Sequence, residues 1–340
     1  MTFKSPKISV AIPVFNEANV IENSLNEVIR VLEAEYQPGF FEILVIDDGS
    51  TDKTSKIIEE LDTYGQQVRL IRHITNLGRG AAVRTAMANF FGEILIVLDA
   101  DLSYSPKVIG DLLKPILTGS ADLTLASPYS PGGSVRNVPI IRALISRLGN
   151  LILKNTFKSP RPTSTSIVRG YSSNLIQKLN LISQGKELNL EVLYKTELLQ
   201  FRIVDVPAIL SWPDHRRKRA KNKGTKNYLS LAPIIRSHLL FQFFTRPGII
   251  FGFPIIASFA TFLFGVSLLF SSLWTRILNS EQNPIRQTLI DGLLTLTVTG
   301  FSFVTGLLFT VIFFLVVQGK LYFEEMYVLL SQNLVKSKKI

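Results

Sequence analysis

The chain has 340 residues, of which 46% are hydrophobic and 19% charged, and its formal net charge is +11 at pH 7. This length accommodates one sizeable domain with an appendage, and an apolar content that includes 23 Phe argues against an ordinary soluble protein. The absence of cysteine fits a reducing compartment and is equally compatible with export.

The first third of the chain alternates short apolar runs with helical patterns. Strands are predicted at ISVAIPV, FEILVIDD, VRLIRH and EILIVLDAD, and helices over 20–35, 53–64, 80–91 and 106–117. This alternation is typical of an α/β domain in which helices cover both faces of a mostly parallel sheet. No G-x-G-x-x-G motif opens the first helix, which argues against a dinucleotide-binding Rossmann enzyme.

Acidic side chains follow three of these predicted strands. Glu17 follows the first strand, Asp48 the second, and Asp99 with Asp101 the fourth. Ligands of such sheets bind at the carboxyl ends of the strands. If the backbone stays extended, Asp99 and Asp101 point to the same side, and a cation is expected between them because two anions repel. The alternative is that both aspartates only form a turn and a helix cap.

The middle of the chain continues this pattern and then becomes strongly basic. ADLTLASPY predicts a strand and residues 139–154 a helix; TSIVRGY, GKELNLEVLYKTELLQ and FRIVDVPAIL follow without a repeat period. The segment DHRRKRAKNKGTK is too rich in Lys and Arg to pack in a core. It is interpreted either as a membrane-orienting or lipid-binding cluster or as part of the site. Residues 229–244 and 321–335 are predicted to form amphipathic helices along a membrane interface.

Two long windows, residues 247–275 and 292–319, carry no charge. Each exceeds the roughly 20 residues that cross about 30 Å of hydrocarbon, so two transmembrane helices are predicted; two buried core helices are the alternative. Residues 216–246 hold nine Lys or Arg and no acid. This bias predicts that both termini are cytoplasmic and that residues 276–288 are external. The N-terminus MTFKSPKISV lacks a signal-peptide pattern, so the preceding domain is expected to stay cytoplasmic.

Four motifs occur in order within the first 106 residues: AIPVFNE, VIDDGSTDKT, NLGRGAAVRTA and LDADLSYSP. Together they resemble family 2 glycosyltransferases of the GT-A fold, and within them the polyisoprenyl-phosphate group of dolichol-phosphate mannosyltransferase and bactoprenol glucosyltransferase. Weaker similarity extends to about residue 226. The resemblance implies a GT-A domain over 1–228, an interfacial helix over 229–246, two transmembrane helices with a short external loop over 247–319, and a cytoplasmic tail over 320–340.

The resemblance implies a donor site at these motifs. Asp99 and Asp101 of the D-x-D motif, with Ala100 between them, would hold Mg²⁺ or Mn²⁺ against the diphosphate of a nucleotide-sugar. The nucleotide would contact Pro13, Phe15, Glu17 and Asp48. For Pro13 and Phe15, the alternative is that they only shape the first turn.

The resemblance also implies a cationic site for the acceptor phosphate. The residues assigned to it are Arg142, Ser146, Arg169, Arg219 and Lys226. A solvated helix face is the alternative for Arg142 and Ser146, which are four residues apart. Two positions depart from the family pattern: Pro128 stands where many relatives have Arg, and Thr163 lies near an expected Asp. Glu191 is either a sugar-binding acid or a surface residue.

The predicted function is inverting transfer of one sugar from a UDP- or GDP-sugar to a polyisoprenyl phosphate at the cytoplasmic membrane face. A processive polysaccharide synthase and a catalytically decayed membrane-tethered binding protein are the alternatives. The expected partners are a nucleotide-sugar, a polyisoprenyl phosphate and membrane lipid, and no nucleic acid. The resemblance further suggests a homo-oligomer and a flippase partner. The sugar, the base and the polyprenol length are left open.

Overall fold

The computed structural model describes residues 7–37, 39–62, 68–138, 163, 165–212, 247–279 and 282–337. The chain divides into two compact units, one made of residues 1–238 and 328–340 and the other of residues 239–327. The helices predicted over 139–154 and 229–244 lie outside the described residues, as does the whole basic segment, residues 214–226.

The first unit is an α/β domain, as predicted. Its strands are β1 (Ile8–Val14), β2 (Phe41–Asp47), β3 (Val68–Arg72), β4 (Ile94–Val97), β5 (Leu123–Ser127), β6 (Ser134–Arg136), β7 (Arg169–Ser172), β8 (Ile203–Pro207) and β9 (Ile209–Ser211). Its described helices are α1 (Ile21–Glu35), α2 (Thr54–Asp62), α3 (Arg79–Asn89), α4 (Val108–Leu117), α5 (Ser173–Lys178) and α6 (Leu188–Leu198). The predicted strand–helix order is confirmed, with small shifts at the ends of elements.

Seven strands form one mostly parallel sheet in the order β3-β2-β1-β4-β7-β5-β8, and β6 pairs with β9. Strands β1 to β4 run parallel, whereas β7 runs antiparallel to both of its neighbours. Successive strands progress outwards from β1 to β3, and the chain then returns to add β4 on the opposite side of β1. This switch point opens a crevice beyond the carboxyl ends of β1 and β4.

The core follows from apolar periodicity. All seven residues of β2 are buried, as expected for a parallel strand with helices on both faces. In α1 the buried residues Ile21, Leu25, Val28 and Leu32 are spaced four, three and four residues apart and form one stripe. Burying such a side chain contributes about 1.5–3 kcal/mol, so the stripe fixes α1 against the sheet.

The second unit contains α7 (Pro247–Leu278), α8 (Pro284–Asp291) and most of α9 (Leu293–Ser337). The first and third of these pack closely: a Cβ added at Gly265 would lie 1.9 Å from Thr299 Oγ1, and the rings of Phe262 and Phe303 are 4.9 Å apart. Ile250–Leu278 and Leu293–Ser331 are candidate membrane spans by length and composition. Only 6% of the most apolar window of each is buried, unlike the core helix of a soluble protein.

One expectation for this region differs from the structure. The sequence predicted that the second span ends near residue 319 and that a separate interfacial helix covers 321–335. The structure has one continuous helix, α9, which runs to Ser337. No glycine or proline interrupts residues 320–337, so nothing in the local sequence stops the helix there.

Candidate functional site

A cleft of about 320 Å³ lies at the switch point of the first unit. Residues that follow β1, β2 and β4 line it together with the start of α3. All seven residues predicted for the donor site are among them: Pro13, Phe15, Glu17, Asp48, Asp99, Ala100 and Asp101. The lining also includes Val14, Asn76, Arg79 and Ala82. The cleft therefore gathers residues of all four sequence motifs at one edge of the sheet.

The loop after β1 is fixed to the loop after β2. The backbone N–H of Asn16 donates to Ser50 Oγ at 2.9 Å, and that of Glu17 donates to Thr54 Oγ1 at 2.9 Å. Asn16 has a φ of 55°, a left-handed conformation that Asn tolerates better than most residues. These contacts hold Phe15, whose side chain is 41% exposed, at the cleft.

Gly49 makes the close approach of the β2 loop possible. Its φ is +73°, and an added Cβ would lie 2.5 Å from the backbone carbon of Thr75. Only glycine fits at position 49, because both the positive φ and the contact with Thr75 exclude a side chain. The residues around Gly49 form a turn and a helix cap: Ser50 N donates to Asp47 Oδ1 at 2.9 Å, and Thr54 N donates to Asp52 Oδ1 at 3.0 Å.

Asp48 is buried at the base of the cleft and accepts several hydrogen bonds. Leu77 N donates to its Oδ1 at 2.9 Å and Gly78 N to its Oδ2 at 2.9 Å. His73, which sequence reasoning missed, lies 2.8 Å from Oδ1 through its Nδ1. The sequence did contain a hint of this contact: His73 directly follows β3, just as Asp48 directly follows β2. The residues before them, Arg72 and Asp47, are paired in the sheet, so the two side chains end neighbouring strands.

The two D-x-D aspartates reach the cleft from a turn and not from a strand. Strand β4 ends at Val97, so the expectation that the pleat aligns both side chains is wrong. Leu102 instead adopts a left-handed φ of 49° and its N–H donates to Asp99 O at 3.2 Å. Ser103 links the pair, since its Oγ donates to Asp99 Oδ2 at 3.2 Å and its N–H to Asp101 Oδ1 at 3.1 Å.

Positive charge in the cleft comes from Arg79, whose Nη1 lies 3.6 Å from Asp99 Oδ1. Within the described residues, no cluster of three or more His, Cys, Asp or Glu side chains is placed to hold a metal ion. Mg²⁺ is usually bound by one or two carboxylates together with substrate phosphates, and carboxylate oxygen also suits Mn²⁺. Asp99 and Asp101 therefore fit a divalent ion that is shared with phosphate oxygens.

Of the five residues predicted for the acceptor site, the described structure includes only Arg169. Arg142, Ser146, Arg219 and Lys226 lie outside the described residues. The prediction that Arg169 meets the acceptor phosphate is corrected. Its side chain is 0% exposed, because it stands on β7 between β4 and β5, and its guanidinium donates to the carbonyls of Ser166 at 2.7 Å and Asn189 at 2.8 Å.

Thr163, where an acid was expected from the resemblance, is buried, and its hydroxyl lies 2.7 Å from Ser127 Oγ. Both partners are neutral hydroxyls, so this contact does not replace the charge of the acid that the resemblance led us to expect. Ser127 ends β5 and directly precedes Pro128.

Glu191 serves the loop that packs against α3. Its carboxylate accepts from Ile182 N at 3.0 Å and Ser183 N at 2.9 Å, and it pairs with Lys195 at 2.5 Å. Burial alone would raise the pKa of Glu191, but the hydrogen bonds from Lys195, Ser183 and Ile182 outweigh it and hold the pKa below its ordinary value. Glu191 is therefore neither a surface residue nor, in this structure, an acid free to bind a sugar; it holds the loop at residues 182–183.

The same loop touches the start of α3 directly. Ala81 N donates to Gln184 O at 3.1 Å, and a Cβ added at Gly80 would lie 2.6 Å from Gln184 C. The loop held by Glu191 therefore backs the helix turn that carries Arg79.

A family model described as glycosyl transferase family 2 matches residues 9–179, which is 171 of the 340 residues. Among curated proteins, the chain is 29% identical over 227 residues to a dolichol-phosphate mannosyltransferase from Pyrococcus furiosus, covering 66% of this chain and 62% of that relative. It is 25% identical over 203 residues to glycosyltransferase AglD from Haloferax volcanii, covering 59% of this chain and 32% of AglD. The matched region thus spans less than two thirds of both relatives.

Among solved structures, glucosyl-3-phosphoglycerate synthase from Mycobacterium tuberculosis in complex with UDP aligns with a TM-score of 0.49. The identity is 21%, and the alignment covers 69% of this chain and 80% of that one. A similarity of this size carries no information about substrate.

Proposed function

Because the chain belongs to glycosyltransferase family 2, we propose that it transfers one sugar from a UDP- or GDP-sugar to a polyisoprenyl phosphate such as dolichyl or undecaprenyl phosphate. The observation that carries the proposal is the cleft at the switch point, which is lined by all seven residues that the motifs assign to the donor. The dolichol-phosphate mannosyltransferase among the relatives supports the acceptor class.

The nucleoside end of the donor is proposed to lie on the β1–β2 side. Phe15 and Pro13 offer apolar surface to the base, and Glu17 and Asp48 offer carboxylate oxygens to ribose hydroxyls or a base N–H. The loop-to-loop hydrogen bonds that hold Asn16 and Glu17 fix this surface before the ligand arrives.

The diphosphate is proposed to lie on the β4 side, against Asp99, Asp101 and Arg79. When bound, Mg²⁺ or Mn²⁺ would stabilise the negative charge that grows on the departing nucleoside diphosphate. Asp99 and Asp101 would hold the ion, and Ser103 orients both carboxylates. The guanidinium of Arg79, which lies near Asp99, would pair with a phosphate oxygen.

The acceptor is proposed to attack as a phosphate dianion. The second pKa of a phosphate monoester is about 6, so at neutral pH the nucleophile needs cations that hold it in line more than it needs a strong general base. Arg142, Ser146, Arg219 and Lys226 are the proposed contacts, without Arg169. Attack opposite the leaving diphosphate would invert the anomeric carbon through an oxocarbenium-like state.

Membrane attachment would bring the enzyme to an acceptor that stays in the bilayer. The two candidate spans provide it, and the nine basic residues of 216–246 are proposed to face the cytoplasm. Self-association and a flippase partner stay predictions from the resemblance alone.

The proposal is tested with membranes that contain the protein, a panel of nucleotide-sugars and Mn²⁺, followed by mass spectrometry of the extracted lipids. One sugar per polyisoprenyl phosphate is expected, and chelation of the metal should remove it. A polymeric product would favour a processive synthase. Nucleotide binding without transfer from any donor would favour a binding protein.

A further inference from the structure

His73 connects the donor cleft to helix α3. Its Nδ1 lies 2.8 Å from Asp48 Oδ1, and its Nε2 lies 2.9 Å from Thr85 Oγ1 on α3. The side chains of His73 and Asp48 are only 9% and 5% exposed. No motif of the sequence assigned a role to either His73 or Thr85.

The chemistry of the partners settles the direction of these hydrogen bonds. A carboxylate only accepts, so Nδ1 carries the proton that is donated to Asp48. In the neutral ring Nε2 then accepts from the Thr85 hydroxyl. That hydroxyl can also accept, so it can pair with either a donor or an acceptor at this position.

The carboxylate of Asp48 has limited capacity left. Its Oδ1 accepts from both His73 and Leu77 N, and its Oδ2 accepts from Gly78 N. A carboxylate has about four lone-pair sites, so the described residues use three and leave one on Oδ2. Asp48 lines the cleft, and that remaining site is the one a ligand can use.

We propose that His73 is a positioning residue for nucleotide binding. It fixes the rotation of the Asp48 carboxylate so that the remaining Oδ2 site can accept from the nucleoside, and its second hydrogen bond, to Thr85, only anchors the imidazole ring on α3. This role rests on the proposed function, since it requires a nucleotide in the cleft.

Two conservative variants separate the halves of this connection. In His73→Asn the amide nitrogen replaces Nδ1, which keeps the donor to Asp48 and loses Thr85. In His73→Gln the amide nitrogen replaces Nε2, which keeps Thr85 and loses Asp48. Thr85→Val removes only the far bond. Because each variant removes one buried hydrogen bond, similar decreases in melting temperature are expected.

The measurement is calorimetric binding of UDP and of GDP with Mn²⁺ to the full chain in detergent, with melting temperatures in parallel. The affinity for the nucleotide is expected to fall about tenfold in His73→Gln. In His73→Asn and Thr85→Val it is expected to stay within about threefold of the wild-type value. In turnover assays the loss in His73→Gln should appear in KM and leave kcat nearly unchanged.

Equal affinity losses in His73→Asn and His73→Gln, or wild-type affinity in His73→Gln, would overturn the positioning role. If His73 were merely structural, the loss of affinity would follow the loss of melting temperature in every variant. If His73→Gln does not fold, His73→Asn decides: a tenfold loss there contradicts the proposal and near-wild-type affinity supports it. Wild-type protein that binds neither UDP nor GDP contradicts the proposed donor itself, and the positioning role with it.

Discussion

The β1–β2 side of the cleft and the turn after β4 are built differently. On the first side, loops from separate strands are joined: Asn16 and Glu17 donate to residues of the β2 loop, and Asp48 accepts from the residues that precede α3. The turn after β4 contains two neighbouring carboxylates and a leucine, Leu102, in the left-handed conformation.

This difference matches what each side is proposed to bind. A nucleoside is recognised by shape and hydrogen bonds, which are most effective when the surface is fixed in advance. A metal and a diphosphate are recognised by charge. The carboxylates and the strained backbone on that side are unfavourable for the protein alone and become useful only when a cation and phosphate are present.

The largest expected effect comes from removing charge on the β4 side. Asp99→Asn or Asp101→Asn should lower metal-dependent transfer by at least about a thousandfold, because one carboxylate cannot replace both in holding the ion. Transfer is measured with labelled nucleotide-sugar in membranes. Asp111→Asn, on the exposed surface of α4, is the matched control and should retain full activity. Normal turnover in either D-x-D variant would remove the metal from the proposal.

The β1–β2 side is broken by a single methyl group at Gly49. Gly49→Ala should destabilise the protein by about 3–4 kcal/mol, because the new Cβ meets the backbone of Thr75 in addition to the cost of a positive φ. Gly39→Ala is the control, since its φ is +82° with nothing within 4 Å, and about 1 kcal/mol is expected. Thermal unfolding compares the two, and equal losses would show that the close approach is unimportant.

The loop behind α3 should respond to acid through Glu191. Since its pKa is lowered in the folded state, its stabilising contribution is present above the unfolded pKa of about 4.3 and is lost as pH falls through the folded value. Glu191→Gln should cost about 2–3 kcal/mol at neutral pH, because Lys195 stays buried without its partner carboxylate.

Unfolding is measured at pH 7 and at about pH 3, well below the unfolded pKa, and the difference between wild type and Glu191→Gln should shrink at the lower pH. The double variant Glu191→Leu with Lys195→Met removes both charges and should recover most of the loss. A constant difference at both pH values would contradict the assignment of the carboxylate.

The smallest effect is expected at Leu102. Leu102→Gly should change stability by less than about 1 kcal/mol, because relief of the left-handed conformation is offset by the entropy of glycine in the unfolded chain. Leu102→Val should be worse than wild type by about 1–2 kcal/mol, since a β-branched residue tolerates a positive φ poorly. Thermal unfolding ranks the three proteins, and a loss of more than about 1 kcal/mol in Leu102→Gly would show that the turn is unstrained.

Much of the first unit was predictable from local pattern. The alternation of apolar strands and amphipathic helices up to residue 117 predicted β1 to β4 and α1 to α4, because a helix buried on one face leaves a helical period and a strand buried on both faces leaves a continuous apolar run. The acidic strand ends predicted the position of the cleft, because the carboxyl ends of parallel strands meet at one edge of the sheet. The two charge-free windows predicted the long helices α7 and α9 in the same way.

Other features depended on contacts between distant residues. Whether a charged residue faces a ligand or the core depends on the strand's neighbours: Arg169 is buried because β7 lies between β4 and β5, and no local pattern indicates that placement. Glu191 was predicted to be either a sugar-binding acid or a surface residue, but its carboxylate accepts from the N–H groups of Ile182 and Ser183 and pairs with Lys195.

The sequence by itself determined the elements, the order of the motifs and the edge of the sheet where they gather, since these follow from periodicity and chain direction. Only the tertiary structure decided that His73 bonds Asp48 and Thr85, that a left-handed turn presents Asp99 and Asp101, and that Gly49 lies against Thr75. Such details depend on individual hydrogen bonds, close backbone contacts and single backbone angles, several of them between residues far apart in the chain. A hydrophobic pattern carries no record of them.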